Sequence, residues 1–285
     1  MTHLLDVENL RVTFPTRSGT FEAVRGISFT LGRERLGIVG ESGSGKSMTG
    51  RAILRLIRPP GTITADRMEM NGEDLLTIPE KRMRQLRGRE VSMIMQDPKF
   101  SLNPVMTVGQ QMIEALRTHE KVSKSGARKR ALEMLDEVAI RHPERVLNLY
   151  PHEVSGGMGQ RIMIAMMLMP KPEILIADEP TSALDVSVQL QVLDIMDKLV
   201  RDRGMGLIFI SHDLNLVAKF CDRIAVMYAG RIVETLPASD LRNARHPYTL
   251  GLLNSVPDLE HPRERLEVLV RDPAWREAPS VSART

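Results

Sequence analysis

The stretch that most restricts how this chain can fold is Gly40-Glu41-Ser42-Gly43-Ser44-Gly45-Lys46-Ser47. It follows Leu36-Gly37-Ile38-Val39, a short apolar run that reads as a buried strand. It precedes a helical pattern carrying Ala52, Ile53, Leu56 and Ile57, which Pro59-Pro60-Gly61 stops. Glycines tolerate the dihedrals that let successive backbone N–H groups converge on phosphate oxygens, and the following helix adds its positive N-terminal end. In that geometry Lys46 neutralises the β and γ phosphates of a nucleotide. The Ser47 hydroxyl is placed to ligate a magnesium ion bridging them, and Thr49 is counted with the nucleotide-binding residues. The plainer reading, a glycine-rich turn with an exposed lysine, is disfavoured by the strand before the loop and the helix after it.

Around this loop the pattern is that of an α/β protein. Leu10, Val12 and Phe14, then Ala23, Ile27, Phe29 and Leu31, alternate on either side of Pro15-Thr16-Arg17-Ser18-Gly19, which predicts an antiparallel β layer. Between Pro98 and Ser155 the pattern turns helical, with Thr107 and Gln110 spaced as a capping box and Ala131, Leu135 and Val138 at i, i+4, i+7. Ile174 to Ala177 then reads as a strand, Val188 to Val200 as a helix closed by Gly204, Leu207 to Ile210 as another strand, and Ala229-Gly230 as a hairpin turn. After about Leu236 comes a proline-bearing tail whose last dozen residues lack apolar periodicity, which predicts a frayed end.

Composition narrows the function. Apolar residues at 42% and charged residues at 26% are those of an ordinary globular protein. The 39 basic and 36 acidic residues nearly cancel, so bulk charge does not indicate a nucleic-acid footprint. The basic runs Lys81 to Arg89 and Lys124 to Arg130 read as solvated helix faces. Cys221, the only cysteine, can form no intrachain disulfide, which fits a reduced cytosolic setting. The opening Met1-Thr2-His3-Leu4-Leu5-Asp6 has no signal-peptide pattern, and no apolar run approaches the roughly 18 residues needed to span a bilayer, so a membrane role is expected to be peripheral. The methionine-rich run from Ile162 to Met169 has no interleaved Cys or His and reads as buried helix packing rather than a copper site.

Asp178 and Glu179 follow the apolar strand from Ile174; beside a phosphate loop, a carboxylate at a strand end holds magnesium through water, and its neighbour can polarise an attacking water. Upstream stands Ser155-Gly156-Gly157-Met158-Gly159-Gln160-Arg161, backbone donors at a helix start. With these elements in this order, residues 4 to 235 resemble the ABC ATPase family. The resemblance implies an α/β P-loop NTPase (RecA-like) core with an N-terminal antiparallel β layer and an inserted helical subdomain. The core is expected at 1–97 and 158–235, the helical subdomain at 98–157, and a C-terminal extension at 236–285. It further implies that Phe14 stacks on adenine, that Gln96 touches magnesium and leads into the helical subdomain, and that Ser182-Ala183-Leu184-Asp185 crosses between paired subunits. His212 is implied to contact the γ-phosphate, and Ser155, Gly156 and Gly157 to grip the nucleotide of a partner subunit.

Met158, Met163-Ile164-Ala165-Met166 and His246-Pro247-Tyr248-Thr249 look like the importer group for peptides, nickel and related solutes. Val154 and Met158 depart from the commoner signature pattern, and the tail is shorter than in many of that group. The implied system is an ATP- and magnesium-dependent ATPase at the cytoplasmic face of the inner membrane. Its expected partners are a second, different ATPase subunit, two membrane-spanning permease subunits and an extracytoplasmic solute-binding protein, with no nucleic acid. An exporter's ATPase, or a soluble ATPase acting on nucleic acid or ribosomes, stands as the alternative; the single cassette and the short gap from Gln96 to Ser155 weigh against the latter.

Overall fold

The computed structural model describes residues 3–96, 101–182, 184–255, 269 and 271–284. The chain divides into two units, one formed by Met1–Ile78 with Ile208–Thr285 and the other by Pro79–Leu207. Asp97 and Pro98, where the helical subdomain was expected to begin, and Ala183 lie outside the described residues.

The first unit opens with β1 (Leu5–Thr16) and β2 (Gly19–Leu31), paired antiparallel as the alternation predicts. Leu5, Val7, Leu10 and Val12 are buried, and the change of parity between Val7 and Leu10 coincides with a register shift at Asn9, whose φ is 50°. A bulge there lets both apolar pairs face the same core. Strand β3 (Arg35–Val39) has Leu36 to Val39 buried and leads through the loop into α1 (Lys46–Ile53). The helix stops earlier than expected: Leu54 is its C-cap, Arg55 has φ 51°, and Leu56 and Ile57 lie beyond it. The Arg55 guanidinium donates to the carbonyls of Leu75 (3.2 Å) and Ile78 (2.8 Å), a tertiary anchor that no helical periodicity can signal. The short strands β4 (Thr62–Thr64), β5 (Arg67–Met70) and β6 (Glu73–Asp74) complete this part.

The second unit begins with α2 (Glu80–Arg89), kinked at Arg87 and Gly88, and β7 (Val91–Ile94). The basic residues of α2 are a solvated face, as expected: Arg87 pairs with Glu80 at 2.6 Å and Arg82 with Glu90 at 3.0 Å. Then come α3 (Val108–His119), opened by the Thr107/Gln110 capping box, and α4 (Lys124–Glu137), with Ala131, Leu135 and Val138 buried. Helix α5 (Gly156–Leu168) buries Met163 and Met166, so its thioethers are core. Strand β8 (Ile174–Asp178), fully buried, lies parallel to β7, and α6 (Val186–Arg203) ends on Gly204 in the left-handed conformation.

Inside β9 (Gly206–Ser211) the chain re-enters the first unit, where α7 (Leu214–Phe220), β10 (Arg223–Tyr228) and β11 (Arg231–Pro237) follow, with the hairpin turning at Ala229 and Gly230, both at positive φ. The tail supplies α8 (Pro247–Asn254), the turn α9 (Ala274–Glu277) and β12 (Ser282–Ala283). The first unit therefore carries two sheets: β12-β2-β1-β5-β6 with β4 on β1, and β11-β10-β3-β9, in which β10 runs parallel to β3. The expectation of a frayed end is corrected. β12 pairs with β2, Arg223 donates to the Ala283 carbonyl, and Arg284 reaches Asp6 at 2.9 Å and Glu8 at 2.7 Å. These are contacts between distant segments, invisible to a local reading of periodicity. Among the described residues no helix is long and apolar enough to cross a membrane.

Candidate functional site

Between β3 and α1 the loop adopts the backbone its glycines permit: Gly43 has φ 79° and Gly45, the N-cap of α1, φ 102°. Alternation of ordinary and left-handed residues is how backbone amides form an anion-binding concavity. A side chain at Gly45 would also put Cβ 2.5 Å from the Ala23 carbonyl of β2, so close packing reinforces the dihedral requirement. Lys46 is buried, and its ammonium donates to the carbonyls of Gly40 (2.7 Å) and Glu41 (2.9 Å), folding the loop over its own lysine. The Ser44 hydroxyl is buried without a hydrogen-bond partner. An orphaned hydroxyl in a glycine-rich loop is the kind of group an oxyanion satisfies, and the loop fits a phosphate on that ground. Ser47 is half-buried, while Thr49 is fully buried and donates to the Gly45 carbonyl at 3.1 Å, locking the first helical turn.

The tail packs on this loop. The Glu41 amide donates to the Tyr248 hydroxyl at 3.1 Å, and the Glu41 carboxylate accepts from Arg271 Nη2 at 2.6 Å. Tyr248 sits in an aromatic cluster, 4.6 Å from Tyr228 and 6.2 Å from Trp275 between ring centroids, and burial pushes its phenol well above the ordinary value. Glu41, Ser42, Tyr248 and Arg271 line a cavity of about 640 Å³ together with Phe21 and Tyr228. Phe14, expected to stack on adenine, is half-buried with its ring edge against Gly61. It faces Phe21 across the β1–β2 pair, and Phe21, not Phe14, lines the cavity. His212 is exposed immediately after β9, and the next residue, Asp213, caps α7 by accepting from the Leu216 amide.

The second unit holds the remaining candidates. Asp178 is buried at the end of β8, and Glu179 follows with φ 46°, an uncommon conformation for a residue with a side chain. Gln96 Nε2 donates to Glu179 Oε2 at 2.8 Å, so two residues 83 positions apart are brought together. A neutral amide donor at this distance fixes the direction in which the carboxylate points, and a general base needs that fixed geometry. Ser155 is the N-cap of α5 and accepts from the Met158 amide at 3.4 Å. A Cβ built on Gly157 would meet Val188 at 2.7 Å, whereas one on Gly156 would meet nothing within 4 Å. Asp185 caps α6: the Val188 amide and the Ser187 hydroxyl hold its carboxyl below the ordinary range.

In the sequence Glu41 is one member of the loop and Tyr248 one member of the His246-Pro247-Tyr248-Thr249 motif. Arg271, an isolated arginine in a proline-bearing tail, carries no periodic signal.

A buried parallel strand feeding a glycine-rich loop and a helix, as in β3 to α1, defines a P-loop nucleotide-binding protein. The ABC transporter family profile matches residues 24–182. The chain is 51% identical over 263 residues to the oligopeptide transport ATP-binding protein OppD of Bacillus subtilis, covering 91% of this chain and 74% of that one. It is 50% identical over 268 residues to the dipeptide transport ATP-binding protein DppD of Haemophilus influenzae, covering 93% and 81% respectively. Its fold resembles that of the ATP-binding cassette MJ0796, solved as a post-hydrolysis dimer bound to ADP and Pi. The TM-score is 0.74 at 25% identity, over 82% of this chain and 98% of that one. The chain belongs to the ABC transporter family.

Proposed function

We propose that this chain is the ATP-binding and ATP-hydrolysing subunit that energises a peptide importer. The observation that carries the reading is the loop from Gly40 to Ser47, with its left-handed glycines, buried lysine and orphaned Ser44 hydroxyl. Half-identity to OppD and DppD, proteins named for oligopeptide and dipeptide transport, supplies the solute class. Lys46 is the cation for the β and γ phosphates, and Glu179, oriented by Gln96, is the base that polarises the attacking water. His212 is assigned to the γ-phosphate, and adenine is assigned to the aromatic hairpin carrying Phe14 and Phe21.

Among the described residues no cluster of three or more His, Cys, Asp or Glu forms a metal cage. That fits magnesium, which takes one or two protein oxygens and completes its shell from phosphates and water. Ser47 would ligate the ion beside the phosphate loop, where it would supply charge neutralisation at the transferring phosphoryl group; in the second unit Gln96 and Asp178 carry the oxygens suited to the same role. Gly156 supports a paired arrangement. An exposed glycine in the first turn of a helix, with no internal contact to forbid a side chain, fits a surface that something from outside approaches closely. We assign that approach to the nucleotide of a second ATPase subunit, with permease subunits and a solute-binding protein completing an assembly at the membrane's cytoplasmic face. Closure on ATP and reopening after hydrolysis would then transmit work to the permease.

The test is uptake of labelled di- and oligopeptides in cells carrying the native chain or Lys46→Ala. Uptake that requires an intact Lys46 is the expected result. Unchanged uptake of peptides, with Lys46-dependent efflux or ribosome association instead, would assign the motor to another machine.

A further inference from the structure

Lys46 already draws two carbonyls of the loop inward, yet Glu41 places a carboxylate on the same loop, five residues before the lysine that must attract a polyanion. Left alone, that carboxylate opposes phosphate binding through a partly screened Coulomb repulsion. The structure answers it with the C-terminal tail. Arg271 grips the carboxylate with two nitrogens, Nη2 to Oε1 at 2.6 Å and Nε to Oε2 at 3.4 Å, from 230 positions along the chain. This fork-on-carboxylate geometry neutralises charge and fixes orientation together.

Tyr248 adds a second hold on the same residue: its oxygen accepts the Glu41 amide at 3.1 Å and its hydroxyl donates to Oε2 at 3.4 Å. The phenol stays protonated because burial raises its pKa, and its ring is fixed against Tyr228 and Trp275. Trp275 in turn touches the His246 ring at 5.7 Å, and the Arg276 carbonyl beside it accepts from Arg25 at 2.7 Å and Arg231 at 3.2 Å. The tail is thus tied to β2 and β11 through the Arg276 carbonyl, shortly after its contact with the loop.

We propose that Arg271 and Tyr248 are positioning residues for nucleotide binding: they cancel the Glu41 charge and hold the first turn of the phosphate loop, so that the loop presents a net positive face to ATP. The proposal rests on the ATPase reading above. Neither residue touches the reacting atoms, and their effect is on affinity rather than on the chemical step.

The experiment is a binding titration of the full-length chain with a fluorescent ATP analogue, run beside steady-state ATPase assays and thermal midpoints. Arg271→Gln is expected to weaken binding about threefold at low ionic strength. The pair is partly exposed, and the difference should shrink at about 0.5 M salt, where the Debye length falls below ~5 Å. KM should rise by the same factor while kcat at saturating ATP stays put. Tyr248→Phe removes both hydrogen bonds and should also raise KM rather than lower kcat.

Glu41→Gln in the Arg271→Gln background keeps a hydrogen-bonding side chain but removes the charge, and should restore binding to the wild-type level. A purely structural strap predicts the opposite, a double variant at least as weak as Arg271→Gln. That result, or wild-type affinity in Arg271→Gln itself, overturns the proposal. A wild-type chain that binds no analogue overturns the ATPase reading first and this inference with it.

Discussion

The phosphate loop of the first unit and the segment Ser155 to Gly157 of the second are both glycine-rich entries to helices, and they are built in opposite ways. The loop is braced from within: Lys46 on two of its carbonyls, Gly45 against Ala23, Glu41 held by Tyr248 and Arg271. The Ser155 segment has its cap satisfied and Gly157 packed on Val188, but Gly156 faces open space. One is braced by contacts within its own chain; the other leaves the first turn of its helix open at Gly156. The contrast teaches that glycine can serve a dihedral need in one place, at Gly45, and leave a helix entry unfilled in another, at Gly156.

The largest expected effect comes from the braced side. Lys46→Ala removes the buried cation, and ATP binding and hydrolysis should both be lost, read by titration and phosphate release. Glu179→Gln should separate the two: nucleotide still binds while turnover drops about 10²-fold or more, as expected for removal of a general base. Retained turnover in that variant would take Glu179 out of its role.

Gly156→Ala tests the open side. Nothing occupies the space of the new methyl group, and alanine favours a helix over glycine by up to about 1 kcal/mol, so the thermal midpoint should hold or rise. The ATPase of the paired assembly should nevertheless fall about tenfold, with unchanged ATP affinity in the isolated chain. Gly157→Ala should instead destabilise by about 1–3 kcal/mol, since its methyl would meet Val188 at 2.7 Å. Identical behaviour of the two variants would erase the distinction.

The smallest effect is on pH. His246 caps α8 by accepting the Tyr248 amide at Nδ1, which requires a neutral ring, and burial lowers its pKa below the ordinary 6.5. Between the folded value and 6.5 the unfolded chain binds more protons, so stability rises with pH. On acidification it should be lost through about 6.5 and level off below the folded pKa. His246→Asn keeps a capping group and removes the titration; its denaturation midpoint should change less between pH 7.5 and 5.5 than that of the wild type. An equal slope would show that His246 does not report on the tail's grip.

Much of this architecture was legible in one dimension because its signals are local. The β1–β2 alternation, the Thr107/Gln110 box, the Gly204 stop and the Ala229-Gly230 hairpin each depend on residues a few positions apart. The misjudged elements depend on distant ones. The helix after the loop stops at Ile53 where Arg55 turns to bond Leu75 and Ile78, and the tail's end is held by Arg223 and Asp6.

The same division holds for chemistry. The amino-acid order alone determined that a lysine would sit in a glycine loop between a buried strand and a helix, because dihedral preference and apolar periodicity are properties of neighbours. It also singled out Glu179 as a carboxylate at a strand end. Only the tertiary structure decided that Gln96 would orient that carboxylate, that Gly156 would lie open while Gly157 is packed, and that Arg271 and Tyr248 would close on Glu41. Such pairings join residues 31 to 230 positions apart, and chain geometry over those lengths is set by packing of the whole unit rather than by any local pattern.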